Sequence, residues 1–511
     1  MALVNRRALF AVAAALGMIV CGCGNPGLWE RWRAERALWQ ARGEDLRARE
    51  SGSEVTPARL ERVRRDYVRV SDAYPPGRWV PLAARGDTLA RDVARVSAAA
   101  ATRAAELDAE LGRGQDARRA LERVAEAYSP VWPSAFEARV ALGGLLDAAG
   151  DSGAALVAWE AAARDAPVVD PDSGRVCGRT FAAAHRVAGA HRAAGRRLAA
   201  DSVWAAMTAA VETALCSHTG DSLAPALWIR RAEAGMERGG AEGIATARSS
   251  LRQALAERAG APFAFEAMLG LGEVALAAGQ RDSAVAWARR AADLAGPSGL
   301  EASTDLEVRA WTEAGRIDSA AASLDRLAGT RHLPAGVATV ARFREGLLLE
   351  RLGRWELART AFHTVIASDA LHPAAFASLE RLTLHQLEQR ETDLVDDEAR
   401  RGLDQVDRIL ATVRDPDVRT RALQTRARLT GWMGDEPGAL QAWEGLWRER
   451  PGTPEGVEAG FEAAALAVHL NDRVHALNLY GELARQAPRP AARDSARRAA
   501  EALERDPAGT R

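Results

Sequence analysis

The chain has 511 residues, 48% of them apolar and 27% charged, with a formal net charge of −1 at neutral pH. A balance so near neutral lacks the basic field that nucleic-acid binding needs, so no nucleic-acid partner is expected. All 68 basic residues are arginine, which excludes a phosphate-loop lysine, a Schiff-base lysine and a lysine general base together.

The first element is a targeting segment. Arg6 and Arg7 are followed by an unbroken apolar run from Ala8 to Val20. The run is too short to cross a bilayer as a helix and suits the h-region of an export signal. It ends in Val20-Cys21-Gly22-Cys23, which resembles the lipobox of bacterial lipoproteins. In that motif a small residue precedes a cysteine that is acylated and becomes the new N-terminus. Gly22 fills the small position, and Val20 the branched aliphatic before it. The resemblance implies a signal peptide over residues 1–22 and a diacylglycerol- and palmitate-bearing Cys23. Cys21, directly after bulky Val20, makes the poorer site. An ordinary cleaved signal or a retained anchor is the other reading. Gly24 and Asn25 follow, with no aspartate as an inner-membrane retention cue. The resemblance therefore points to the cell envelope of a diderm bacterium, lipid-anchored in the outer membrane and facing the periplasm.

Residues 23–57 read as an acylated N-terminus, a tryptophan-rich helix in "LWERWRAERALWQ" and a loop in "SGSEVTP". Helical spacing puts Leu28, Trp32 and Trp39 on one face. Trp29, Trp32 and Trp39 follow Cys23 closely. They either lie at the bilayer interface, where indole is favoured, or pack on the first helical hairpin.

Residues 58–489 form a repeat array. In "LGGLLDAAGDSGAALVAWEAAARDAP" Gly150 marks a turn, with Gly143 before it and Ala155, Trp159, Ala162 and Pro167 after it. The frame recurs as Ala427, Gly434, Ala439, Trp443, Leu446 and Pro451. It recurs again as Asn471, Ala476, Tyr480, Leu483 and Pro488, and as Gly346, Gly353, Ala358, Phe362 and Val365. Gly272, Gly279, Ala284 and Ala291 follow it in part, as do Gly195, Ala200, Trp204 and Met207. Gly112 and Gly315 are followed by Ala117 and Ala320. This resembles the tetratricopeptide repeat family. Turn marks fall at 112, 150, 195, about 240, 279, 315, 353, 434 and 471. The stretches 222–260 and 374–413 fit the pattern poorly. Long Ala/Leu/Arg/Glu runs without period-two alternation favour helix. The expected fold is all-α: about ten to eleven antiparallel hairpins in a TPR-like solenoid, a right-handed superhelix by resemblance. Residues 490–511 read as a polar capping helix and tail.

The small residue before each turn and the alanine after it permit close backbone approach. The aromatic fills the gap between hairpins, and the proline ends the second helix. Trp159, Trp204 and Trp443 take that packing slot, with Trp287 and Trp355 close to one.

Catalytic patterns are missing from the sequence: there is no GxSxG, HExxH, glycine-rich phosphate loop or paired CxxC. His185, His191 and His218 can be drawn with Cys177 and Cys216 as a zinc site, but the ligand spacing is poor. No cofactor, metal or enzymatic activity is expected. Cys177 precedes the first helix of the hairpin turning at Gly195 and Cys216 follows the second. Both therefore fall at the open end of that hairpin, and in an oxidising compartment a Cys177–Cys216 disulfide is expected.

In the resembled family the first helices line a concave groove that binds extended peptides or partner helices. By resemblance the groove-facing positions include Glu137, Asp147, Glu266, Glu273, Phe343, Arg351, Arg421, Arg428 and Phe461. Subfamilies that clamp a peptide carboxylate use a lysine/asparagine set that this chain lacks. The expected function is a non-catalytic, membrane-tethered scaffold for envelope proteins or peptides, as in outer-membrane or peptidoglycan assembly. The alternative is a glycan- or polysaccharide-binding accessory of a cell-wall hydrolase or export system, for which Phe343 and Phe461 are the candidate stacking aromatics. An enzyme ranks third.

Overall fold

A computed structural model describes residues 26–50, 56–257, 260–334, 336–389, 392–488 and 490–505. The signal segment, Cys23, most of the "SGSEVTP" stretch and the tail after Arg505 lie outside the described residues. Within them the chain forms 24 helices and one isolated bridge, Val169 to Val176. The fold is all-α.

The chain divides into two compact units, one ending at Ala259 and one beginning at Gly260. The first opens with α1 (Pro26–Glu50), α2 (Pro57–Ala73), α3 (Pro76–Ala84) and α4 (Thr88–Glu110). It continues with α5 (Gly114–Ala127), α6 (Ser134–Ala148), α7 (Ser152–Asp165) and α8 (Gly178–Ala193). Then come α9 (Arg197–Ser217), α10 (Ala224–Arg238) and α11 (Gly240–Ala256). The second unit holds α12 (Ala261–Ala277), α13 (Arg281–Leu294), α14 (Pro297–Glu313), α15 (Ile317–Ala328) and α16 (Val337–Arg351). It goes on with α17 (Trp355–Ser368), α18 (Pro373–Glu388), α19 (Thr392–Thr412) and α20 (Pro416–Trp432). It ends with α21 (Glu436–Glu449), α22 (Pro454–His469), α23 (Arg473–Gln486) and α24 (Pro490–Arg505). From α4 to α23 the helices pair in sequence as hairpins, and some first helices also touch the first helix of the next pair: α4 touches α6, α12 touches α14, α16 touches α18 and α18 touches α20. The poorly fitting stretch 374–413 is the hairpin α18/α19, and 222–260 holds α10/α11.

Local chemistry explains the hairpins. Gly112, Gly150, Gly195, Gly279, Gly315, Gly353, Gly434 and Asn471 all take positive φ, as do both Gly239 and Gly240. At such a residue the last carbonyls of the first helix are closed by a six-to-one bond. Asp151 N donates to Leu146 O at 2.9 Å, and Arg354 N to Leu349 O at 2.9 Å. The next residue often caps the second helix: Asp151 accepts from Ala154 N, Asp435 from Gly438 N and Asp472 from His475 N. Pro167, Pro451 and Pro488 each follow shortly after the end of a second helix.

The alanine of each frame is buried against its partner helix. Ala117, Ala155, Ala200, Ala284, Ala320, Ala358, Ala439 and Ala476 are all at most 2% exposed. The small residue upstream of the turn meets the aromatic downstream of it. A Cβ built on Gly143 would lie 2.1 Å from Trp159 Nε1, and one on Gly346 would lie 2.7 Å from Phe362 Cε1. Glycine is thus the residue that lets ring and backbone share this layer.

Trp204 is fully buried, whereas Trp159, Trp287, Trp355 and Trp443 are half-buried. The deepest indole near the C-terminus is Trp447, one helical turn beyond Trp443 and seated over Gly460. Sequence reasoning missed it because both tryptophans follow helical spacing in α21.

The N-terminal helix differs from expectation in its buried face. Ala34, Leu38, Ala41, Asp45 and Ala48 turn inward, while Leu28, Trp29 and Trp39 are exposed. Asp45 fixes this docking: it accepts from Arg103 Nε of α4 at 2.8 Å, Arg49 Nε at 2.9 Å and the Tyr67 hydroxyl at 3.4 Å. Burial pushes the Tyr67 phenol up to about 12, and the Asp45 charge adds to that rise.

The disulfide expectation fails. Cys177 and Cys216 are free thiols, the first buried and the second exposed. Cys177 N donates to Val168 O at 2.8 Å, which ties it into the loop before α8. Cys216 lies one residue past core-facing Leu215 and turns into a cleft with Trp228, Arg231 and Gln253 of the following hairpin. Being at the same end of a hairpin does not aim two Cβ atoms at each other. A maleimide added to the folded chain should therefore label Cys216 and leave Cys177 until denaturant is added. Equal labelling of both thiols in native buffer would contradict the burial of Cys177.

Candidate partner-binding face

The first helices of the second unit carry a ladder of ion pairs. Each step runs from a carboxylate on one first helix to an arginine on the next. Glu273 of α12 takes both guanidinium nitrogens of Arg309 of α14, at 2.7 and 2.9 Å. Asp305 of α14 pairs with Arg344 of α16. Glu350 of α16 pairs with Arg381 of α18 at 2.7 Å. Glu380 of α18 pairs with Arg428 of α20 at 2.8 Å and accepts from the Thr425 hydroxyl at 2.7 Å. The separations in sequence are 36, 39, 31 and 48 residues, each near one repeat step. In the first unit Glu137 of α6 meets Arg179 of α8 at 3.1 Å, and Arg192 of α8 meets Glu237 of α10 at 3.1 Å.

Three of the nine groove positions read from sequence, Glu137, Glu273 and Arg428, are therefore engaged within the chain. The more exposed of these pairs, such as Glu273–Arg309, contribute little stability each, on the order of 0–1 kcal/mol. They fix the charge pattern that a partner meets. Phe343 and Phe461 are packing residues. Phe343 lies 5.8 Å from the Phe362 ring and joins Val365, Ala374 and Ala375 in a buried cluster. Phe461 lies 6.3 Å from the Tyr480 ring. Asp147 is exposed and accepts from the Ser152 hydroxyl at 3.2 Å, and Glu266 and Arg421 are exposed on α12 and α20.

Arg351 is different. It is exposed at the end of α16 and pairs with no carboxylate among the described residues. It lines a cleft of about 770 Å³ with an apolar floor of Val308, Leu324, Leu347 and Leu348. Arg344, Arg381, Glu350 and His385 form the walls. The His385 ring stacks on Trp355 at 3.5 Å, which fixes one wall. Sequence reasoning found Arg351 and missed Arg344, Glu350, Arg381 and His385. The available signal was an acid one repeat step before an arginine.

Behind this face, charges bind helices to one another. Burial pushes the Glu307 carboxyl of α14 up, but Arg289, Arg326 and the Trp311 indole hold it below its ordinary value. His363 first, against burial, and then Arg359 hold Glu398 of α19 low in the same way. His185 Nε2 donates to the Glu233 carboxylate at 3.1 Å and meets Trp204 edge-on; His191 pairs with Glu160 and His218 with Asp221. Each histidine of the drawn zinc site thus has a carboxylate of its own.

No protein-family model matches the sequence, and no curated protein matches it. Solved structures do. Yeast Tom70 is similar at 13% identity and a TM-score of 0.32, over 94% of this chain and 96% of that one. A tetratricopeptide repeat protein from Parabacteroides merdae is similar at 14% identity and a TM-score of 0.29, over 55% and 99%. The human IFIT1 dimer with m7Gppp-AAAA is similar at 13% identity and a TM-score of 0.31, over 72% and 80%. By its own turns and packing, the described part of the chain is an all-α array of helical hairpins with a buried alanine in each frame.

Proposed function

We propose that this chain is a non-catalytic scaffold of the bacterial cell envelope, anchored by acyl chains on Cys23, that holds a protein partner on its first-helix face. The observation that carries the reading is the cleft at Arg351. It combines an apolar floor, an unpaired guanidinium and walls already locked by ion pairs. That chemistry suits a short peptide segment with apolar side chains and one carboxylate: the apolar groups cover Leu347 and Leu348, and Arg351 receives the carboxylate. Of the arginines lining the cleft, Arg344 and Arg381 are already paired and Arg351 is not, so one cation selects among partners at little reorganisation cost. Phe343 and Phe461, the stacking aromatics of the glycan reading, are engaged in packing, which favours the protein reading.

Two measurements test this. A photo-crosslinking residue at position 351 should give a discrete protein adduct in envelope membranes, lost when Leu347→Glu is added. The same probe at exposed Val157, on a second helix, should give none. Matching adducts at both positions would refute the face. For the anchor, Cys23→Ser should release the chain from the membrane or leave an uncleaved precursor. Wild-type fractionation and migration would refute acylation there.

A further inference from the structure

We propose that the outward face of α1 lies flat in the interfacial layer of an anionic bilayer, so that the helix is a membrane-contact element. The inference rests on the acylated Cys23 of the proposed function. α1 has two apolar stripes. The inner one, Ala34, Leu38, Ala41 and Ala48, is buried against the bundle. The outer one is left uncovered by the described residues: Leu28 is 45% exposed, Trp29 44%, Trp39 68% and Leu46 58%. Trp32 stacks on Trp29 with ring centroids 4.8 Å apart. At 1.5 Å per residue the stripe from Leu28 to Leu46 runs about 27 Å along the axis, so all of it touches one surface only if the helix lies parallel to that surface.

The position of the anchor selects a bilayer as the occupant. Only Gly24 and Asn25 separate Cys23 from Pro26, so the helix starts within about 11 Å of the acylated residue. Indole is the side chain favoured at the headgroup level. The flanking charge matches anionic lipid. The Arg33 guanidinium sits over the Trp29 ring at 4.8 Å and that of Arg36 over Trp32 at 5.0 Å. From there an arginine keeps its stem on the apolar layer and its head among phosphates. A cleft beside Trp39 reaches Arg47 and Arg69, which pair with Glu44 and Asp66, and the next adds Arg62 and Arg65 of α2 beside the same two acids.

The test reads tryptophan quenching. The acylated full chain is reconstituted in phosphatidylethanolamine–phosphatidylglycerol vesicles with and without brominated acyl chains. Wild type is expected to lose emission to the brominated lipid. The variant Trp29→Phe/Trp32→Phe/Trp39→Phe keeps an apolar face but removes these reporters, so its loss should vanish. Equal quenching in both chains overturns the proposal. So does no quenching in wild type, the result expected if a partner protein covers the face. Mass spectrometry of the same samples reads Cys23 independently. Acyl chains without quenching overturn the contact and leave the anchor standing. An unacylated Cys23 overturns the anchor, and quenching by the same vesicles then supports the contact while its lack overturns it.

Discussion

Gly346→Leu is expected to destabilise the α16/α17 hairpin by about 3 kcal/mol, at the upper end of the cost of overpacking a core. A Cβ at this position meets Phe362 Cε1 at 2.7 Å, and the Phe362 ring is fully buried. The ring cannot swing away, because Phe343 stands 5.8 Å from it and Trp355 6.4 Å. Leucine has the better helix propensity by about 1 kcal/mol, which is too little to offset the clash. Gly143 makes an even shorter approach to Trp159, but that indole is half-buried where the Phe362 ring is fully buried, so Gly143→Leu should cost less. Urea midpoints of the two variants test the order. Phe362→Leu should recover part of the loss in Gly346→Ala, read as a double-mutant cycle. Hydrogen exchange should rise in α14 to α19 and leave α1 to α7 protected, since repeats couple to their neighbours. Uniform deprotection would instead mean one cooperative unit.

Asp45→Ala is expected to loosen α1 at a cost of about 2–3 kcal/mol. Breaking a buried ion pair costs roughly 3–5 kcal/mol, and the partial exposure of Arg103 and Arg49 lowers that figure. Burial alone would raise the Asp45 carboxyl, but hydrogen bonds from Arg103 and Arg49 hold it below its ordinary value. A depressed carboxylate stabilises the fold above its unfolded value, near 3.9. The contribution disappears as pH falls through the lower folded value. Wild type should therefore lose α1 docking below about pH 4, and Asp45→Asn should lack that step. Hydrogen exchange of residues 26–50 between pH 3 and 7 decides it; an unchanged profile in the variant would show that Asp45 does not hold the helix.

The turns and the hairpins are written in the linear chain. A glycine or asparagine that accepts positive φ, an aspartate that caps the second helix and a proline that cannot continue a helix all act within a few residues, so Gly150, Asp151 and Pro167 are legible without a structure. The buried alanine of each frame is legible for the same reason, because it repeats in register with the turn. The buried face of α1, by contrast, emerges only when the helices pack. Periodicity allows either of its stripes, and the alanine stripe goes inward because small side chains let the helix axes approach closely, while indoles would hold them apart. The free state of Cys177 and Cys216, the depth of Trp447 against Trp443 and the ladder from Glu273 to Arg428 also arise at that level. Each depends on side-chain direction between separate elements, in the ladder 31 to 48 residues apart, which spacing along one helix does not encode.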